Sequence, residues 1–254
     1  MNDRNELRPP QWMKAELHAH CDLDPVDRRI CPFSAQDLIK EAARLHYQVL
    51  AITCHDLDIW TRDLAEYAAG FGITLIPGME VTAGGKHVLV YNFGARAEHL
   101  RTWIQIRALS RPDTLVVAPH AYFPSWTCLG RDLETYIDVF DAIEVSGFRT
   151  AGIDFNRRAR ALAAAHRKPL VGNSDVHQLW QLGRTFTWIH ARPDPESVIG
   201  AVKEGKVRVE ESALSYVDAV RFWMTALMRA AFAPRSQRGN RRFVPDTSPK
   251  ESGR

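Results

Sequence analysis

The sequence predicts an α/β protein built on a mostly parallel sheet, either doubly wound or closed into a barrel. Three observations lead there. Apolar runs and amphipathic stretches alternate from about residue 14 to residue 208, the order that repeated β-α units give. The 254 residues are 45% hydrophobic and 25% charged, enough for a sizeable core in one large domain or two small ones. No apolar run in the chain approaches the ~18 residues that a membrane span needs.

Each element has a local reason. Residues 14–20 alternate strictly, with Ala15, Leu17 and Ala19 on one side and Glu16, His18 and His20 on the other, which is a period-two strand. Ser34 caps a helix over 34–46, with Asp37 completing a variant capping box and Leu38, Ile39, Ala42 and Leu45 forming the buried stripe. A short buried strand over 49–53 is followed by a helix over 61–69 that stops at Gly70. Further strands are expected over 73–76, 88–93, 114–118, 142–145, 169–172 and 185–190. Further helices fall near 100–108, 133–140, 155–166 and 195–203. Between them, the stretch 80–87 reads as a hairpin turning at Gly84-Gly85, with Thr82 opposite His87 and Glu80 on the same face as His87. A last helix over roughly 213–232 carries Val217, Val220, Phe222, Trp223, Leu227, Met228 and Phe232, interrupted by Arg221 and Arg229. Packing on the body or on another subunit explains that face, and association with a membrane surface is the alternative.

Charge is unevenly distributed. Residues 234–254 hold six Arg and Lys against Asp246 and Glu251, a net +4, whereas the whole chain is +3. The preceding residues are therefore near −1, so the folded part has no overall basic character. Nucleic-acid affinity, if present, belongs to the tail, which is expected to be disordered. Cys21, Cys31, Cys54 and Cys128 show no CxxC spacing, and the first residues lack an apolar leader. These features point to a cytoplasmic protein rather than a disulfide scaffold or a cysteine zinc finger.

Ten histidines carry the functional signal. His46, His99, His166 and His190 lie in helices or at element ends without acidic company, and packing or surface exposure accounts for them. His18, His20, His55, His120 and His177 end a predicted strand or follow it within a few residues. In a parallel barrel those ends open on one face, so residues distant in sequence would converge. His18/His20 and Asp175/His177 are i, i+2 pairs that project to one side of an extended segment. Imidazole and carboxylate without thiolate suit zinc, manganese or iron.

The set Glu16-Leu-His-Ala-His20, Leu50-Ala-Ile-Thr-Cys-His55-Asp56, Ile76-Pro-Gly-Met-Glu80-Val, His87-Val-Leu-Val, Ala118-Pro-His120 and Asn173-Ser-Asp-Val-His177 resembles the PHP (polymerase and histidinol phosphatase) metal-dependent phosphoesterases over about residues 14–192. The resemblance implies a distorted (β/α)7 TIM-like barrel with two or three divalent ions at the strand ends. It implies His18, His20, Glu80 and Asp175 around one ion, and Glu80 bridging to His87 and His120 on a second. His55 and His177 would hold a third with an acid from the stretch 22–27, where Asp22, Asp24 and Asp27 are available and Asp24 is chosen. Where the family usually has Asp before His55, this chain has Cys54, either a small buried residue or a thiol near the metal.

The organisation expected is an extension over 1–12, the barrel over 13–212, a helix over 213–233 and the basic tail over 234–254. The expected activity is hydrolysis of a phosphate ester through a metal-activated water, with Glu80 and Asp175 catalytic through the cluster. Arg149 and Arg184 are the candidate phosphate contacts, and a small phosphorylated substrate is the expected partner. The chain carries no GxSxG and no CxxxxxR loop, so no nucleophilic Ser or Cys is signalled. Two other classes stay open: a TatD- or amidohydrolase-like hydrolase, and a non-catalytic metal-stabilised binding module. Self-association, if any, is expected through the terminal helix.

Overall fold

The alternating segment near the amino end forms β1 (Gln11–Glu16). It leaves the sheet after Glu16 because the next residues bond elsewhere. His20 N donates to Val176 O and Thr53 N to Ala19 O, at 2.9 and 2.7 Å. Ser34 and Asp37 close the expected capping box ahead of α1 (Ala35–Arg44), which buries Leu38, Ile39 and Ala42. Then come β2 (Val49–Ala51), α2 (Arg62–Gly70) capped by Thr61, and β3 (Thr74–Ile76). The hairpin of β4 (Gly78–Ala83) and β5 (Lys86–Tyr91) adopts the expected register, Thr82 opposite His87. A two-residue turn matching strand twist needs positive φ at both positions, and Gly84 and Gly85 stand at 59° and 77°. The chain continues through α3 (Trp103–Leu109), β6 (Leu115–Ala118), a short α4 (Asp132–Thr135), β7 (Ala142–Ser146) and α5 (Asn156–His166). It closes with β8 (Leu170–Asn173), β9 (Thr185–Ala191), α6 (Pro195–Lys203), β10 (Val207–Glu211) and α7 (Tyr216–Phe232). This computed structural model describes residues 9–232; the tail over 234–254 and most of the extension over 1–12 lie outside it.

Strand pairing corrects the expectation of a mostly parallel sheet. Two five-stranded sheets form, in the orders β10-β9-β1-β2-β3 and β4-β5-β6-β7-β8, and no closed ladder joins them among the described residues. Half of the pairs are antiparallel: β1 with β9, β9 with β10, β4 with β5, and β5 with β6. The tight glycine turn reverses β5, and β6 then runs against it. β10 was not expected from the sequence. It is an edge strand with only half-buried valines and outward Arg208 and Glu210, a pattern that blunts an edge at the expense of its apolar signal.

Isolated bridges connect the sheets at the functional end, Ala19 to Val176 and His55 to Glu80. At the β8–β9 seam a side chain replaces the ladder. Thr187 Oγ1 accepts from Gly172 N at 2.8 Å and donates to Gly172 O at 2.9 Å. A Cβ on Gly172 would stand 2.7 Å from Val209 Cγ1 and 2.9 Å from the Phe186 carbonyl. Gly172→Ala should therefore cost about 2–3 kcal/mol, in the range for overpacking a filled core. A urea transition at the wild-type midpoint would show that this seam yields freely.

Three apolar layers result. The inner one joins both sheets through Met13, Leu17, Val49, Leu89, Tyr91, Val117 and Ile189, and α6 plugs its end with Val198, Ile199 and Val202. Two outer layers lie beneath α1–α2 and beneath α3–α5. α7 rests on the body through Phe222, whose ring lies 4.6 Å from that of Phe148, and Trp223, 5.6 Å from Phe123. The side chains of Met228, Arg229 and Phe232 lie outside the described ones. No helix among the described residues is long and apolar enough to cross a membrane.

Candidate metal centre

The segments that leave the strands early carry the polar cluster. His18 and His20 lie beyond β1, His55 beyond β2, His120 beyond β6, and Asp175 and His177 beyond β8. The hairpin supplies Glu80 and His87. Two of these positions hold the left-handed backbone that non-glycine residues avoid, His120 at φ 27° and Asp175 at φ 50°. Such strain costs of order 1–3 kcal/mol and persists only where surrounding structure imposes it.

Glu80 stands at the centre with its two oxygens facing different groups. Oε1 lies 2.8 Å from His87 Nδ1 and 3.1 Å from His120 Nε2. Oε2 lies 3.0, 3.4 and 3.5 Å from Nε2 of His55, His18 and His20. Asp175 Oδ1 closes the second group at 3.3 Å from Nε2 of both His18 and His20. The structure thus brings Glu80 and His87 together across the hairpin, and His18, His20 and Asp175 together at the other oxygen of Glu80.

His55 and His177, expected to share an ion, fall in different groups of converging donor atoms. Donor atoms within 4.8 Å of one another place His55 with Glu80 and His87 and also with His20 and Asp24, the acid chosen from the sequence, and His177 with His20 and Asp175. Asp24 accepts from Nδ1 of His20 at 2.8 Å and of His55 at 2.9 Å, while its other oxygen takes the amides of Val26 and Asp27. It stands behind the two rings as well as beside them. Asp27 Oδ2 lies 3.0 Å from His177 Nε2 and 3.7 Å from His55 Nδ1, so it reaches both rings. Asp22 is exposed.

Arg149 and Arg184 are engaged elsewhere. Arg149 pairs with Glu211 at 3.1 Å and Arg184 with Asp218 at 3.0 Å. Their backbone carbonyls also accept from Leu214 and Ser212. Both arginines thus pin the segment that leads into α7, each through one terminal nitrogen of its guanidinium.

Sequence reasoning missed Glu144. It is fully buried in β7, with Oε2 2.8 Å from His18 Nδ1 and 3.0 Å from Asn173 Nδ2, and Oε1 accepting from His120 N at 3.0 Å. One carboxylate therefore sets the ring of His18 and the backbone of His120. The signal was a lone acid inside the apolar run Ala142-Ile-Glu-Val, since acids are almost never fully buried without partners. Carboxylates behind ligating imidazoles fix tautomer and orientation, and their loss weakens metal affinity about 10–100-fold. Glu144→Gln should do so here, measured by competition with a chromophoric chelator. Wild-type affinity in that variant would remove Glu144 from the site.

The electrostatics favour cations. Burial opposes charge on His18, but Asp175, Glu144 and Glu80 outweigh it and hold its pKa well above normal. Burial likewise opposes ionisation of Glu80, yet His87, His55 and His18 draw it well below the usual carboxylate range. Burial pushes Glu16 up to about 8, despite amide donors from Ser174 and His18. Cys54 is fully buried in an apolar layer with its sulfur 3.7 Å from that of Cys21. That contact and burial push its thiol up, so Cys54 is a packed thiol and adds no thiolate.

The residues present fit metal ions. His18 Nε2, His20 Nε2 and Asp175 Oδ1 are buried without hydrogen-bond partners, in a structure type where such atoms are few. They converge on one point, and the Nδ1 atoms of both rings are already committed to carboxylates. The donor set is nitrogen and oxygen throughout, as borderline and hard divalent ions prefer. Among the acids, Asp175 has the most solvent contact at 15%, whereas Glu80 has 1%. The cluster therefore opens to solvent along Asp175, flanked by His120 and His177.

A family model described as PHP-associated matches residues 154–207, from α5 into β10. PsfC from Pseudomonas syringae is similar in structure at 17% identity and a TM-score of 0.55, covering 87% of this chain and 99% of its own. A candidate metal-dependent phosphoesterase from Bifidobacterium adolescentis is 17% identical with a TM-score of 0.50, over 66% of this chain and 89% of its own. An amidohydrolase from Chromobacterium violaceum, holding sulfate and no metal, is 15% identical with a TM-score of 0.50, over 85% and 96%. At such identities the likeness is one of fold. No curated protein sequence matches the chain.

Proposed function

We propose that this chain is a PHP-domain protein and a metal-dependent hydrolase of phosphate esters, a reading that the PHP-associated match over residues 154–207 supports. The observation that carries the reading is Glu80, one buried carboxylate with two imidazoles at one oxygen and three at the other. A carboxylate that offers each of its oxygens to a separate set of imidazoles is the arrangement that adjacent cations need between them. We read the paired sheets as an opened, distorted (β/α)7 barrel, because the inner core is shared and bridges join the sheets at the cluster.

His18, His20 and Asp175 would hold one ion with Glu80 Oε2, and His87 and His120 a second with Oε1. His55 stands close enough to Oε2 to join either. His177 with Asp27 or Asp175 offers a third position. Zinc, manganese and iron suit these donors. When bound, such ions lower the pKa of water and screen the phosphate oxygens during displacement.

The chain's own groups do the rest. Glu144 and Asp24 hold the rings of His18, His20 and His55 by Nδ1 and keep Nε2 aimed inward. The apolar layer behind Cys21 and Cys54 keeps water from that side. Asp175, at the open edge, is the acid that an entering ester and its attacking water meet first.

The reading is tested by stripping the full chain of metal, restoring zinc, manganese or iron separately, and assaying a generic phosphomonoester and phosphodiester. Turnover that returns with metal supports it. Metal-dependent hydrolysis of amides alone would replace it with the amidohydrolase reading. Stable metal binding without turnover of either would favour the binding module.

A further inference from the structure

α7 is apolar on two sides, and among the described residues only one of them packs on the body. Its inward side carries Ala219 and Phe222 against Phe148 and Phe123. Tyr216, Val217, Val220, Met224 and Leu227 point away from the body, 59 to 78% exposed, with Trp223 at their margin at 37%. At 100° per residue these six positions span about 120° of the helix surface. That arc is wider than the narrow seam of a two-helix coiled coil, and it has Tyr and Trp along one edge, the residues enriched where apolar and polar phases meet.

The charges around the arc have one sign. Asp218 is the only acid in α7, and it is turned inward, 3.0 Å from Arg184 and 2.8 Å from Ser215 Oγ. The charged side chain beside the arc is Arg221, which is exposed and lies 3.7 Å from Asp218 Oδ1. Directly after α7, residues 234–254 add six Arg and Lys against two acids. The residues up to the end of α7 are near neutral, so the chain's excess of positive charge lies in the sequence that follows the arc.

We propose that the outer face of α7, together with the basic segment that follows it, docks on an anionic lipid surface. The arc would enter the headgroup boundary, and the arginines would meet anionic headgroups, the two signals that make reversible interfacial binding effective. The helix would lie in the surface plane rather than cross it.

The test is flotation of the full chain with two kinds of vesicle, phosphatidylcholine alone and phosphatidylcholine with about a quarter phosphatidylglycerol. The anionic vesicles should carry at least about tenfold more protein, and the difference should shrink at high salt. Val220→Glu/Leu227→Glu should lose binding to both, with melting and oligomeric state unchanged, because both side chains are exposed. Met224→Asp, a single change on the same arc, should weaken binding in the same direction. Truncation after Ala233 should remove the preference for anionic vesicles and its salt sensitivity. Equal flotation of wild type and Val220→Glu/Leu227→Glu would overturn the proposal. So would a wild-type dimer that the same pair of changes makes monomeric, without vesicle binding, which would assign the arc to a second copy.

Discussion

Glu80→Gln should lower turnover of a phosphoester by about a thousandfold or more, equivalent to about 4 kcal/mol of transition-state stabilisation. The substitution preserves shape and removes the one negative charge to which five imidazoles turn. Two cations held close together then lack the anion between them, and at least one should be lost. Elemental analysis of reconstituted protein should find two or three ions per chain in the wild type and fewer in the variant. His166→Ala is the matched control. His166 is exposed at the end of α5, and its loss should change turnover by no more than about twofold, as surface substitutions do. Equal losses in both variants would mean that the functional histidines lie elsewhere, and less than one ion per chain after reconstitution would reject the site.

The cluster was legible because its chemistry is confined to residue types that are costly to bury. His18, His20, Glu80, His87, His120 and Asp175 announced themselves by spacing, and the hairpin register followed from Gly84-Gly85 alone. Less visible was the shell that orients them. Glu144 sits within an apolar strand, and only the fold reveals that its carboxylate reaches His18 across two strands. The choice of Asp24 among Asp22, Asp24 and Asp27 was open to sequence, but the division by which Asp24 meets His20 and His55 while Asp27 meets His177 was not. The short loop after Cys21 folds back so that Asp24 takes two local amides, and that turn directs its second oxygen between His20 and His55. Arg149 and Arg184 were chosen for proximity in sequence to functional segments, but long side chains follow the nearest carboxylate, here Glu211 and Asp218.

Strand direction was the other limit. Helix-strand alternation predicts parallel pairing only where each connection crosses over. The hairpin at β4–β5 violates that condition, and so do the antiparallel placements of β9 and β10. The apolar content of the individual strands survived this error because most are buried on both faces, as in β6 and β7. A strand buried on both faces reads the same whichever way its neighbour runs.

Removing the ions should lower the melting temperature by about 10 °C or more. A ligand bound at about a thousand times its dissociation constant contributes roughly 4 kcal/mol, and each kcal/mol moves a domain of this size by about 2–4 °C. The gap should depend on pH, and the sign follows from His55. Burial works against its protonation, but Glu80 and Asp24 raise it from 6.5 to about 10. Without ions, protons stand in for them among the carboxylates. That stabilisation is complete below about 6.5 and fades as pH rises towards 10. Ions behave oppositely, because they bind deprotonated imidazole and their affinity grows with pH. Melting curves recorded with and without chelator should therefore separate further between pH 6.5 and about 9, within the interval over which His55 would lose its proton. In Glu80→Gln the two curves should nearly coincide across that interval. Superimposed wild-type curves with and without chelator at every pH would show that the cluster is held by its own hydrogen bonds and that no ion contributes to its stability.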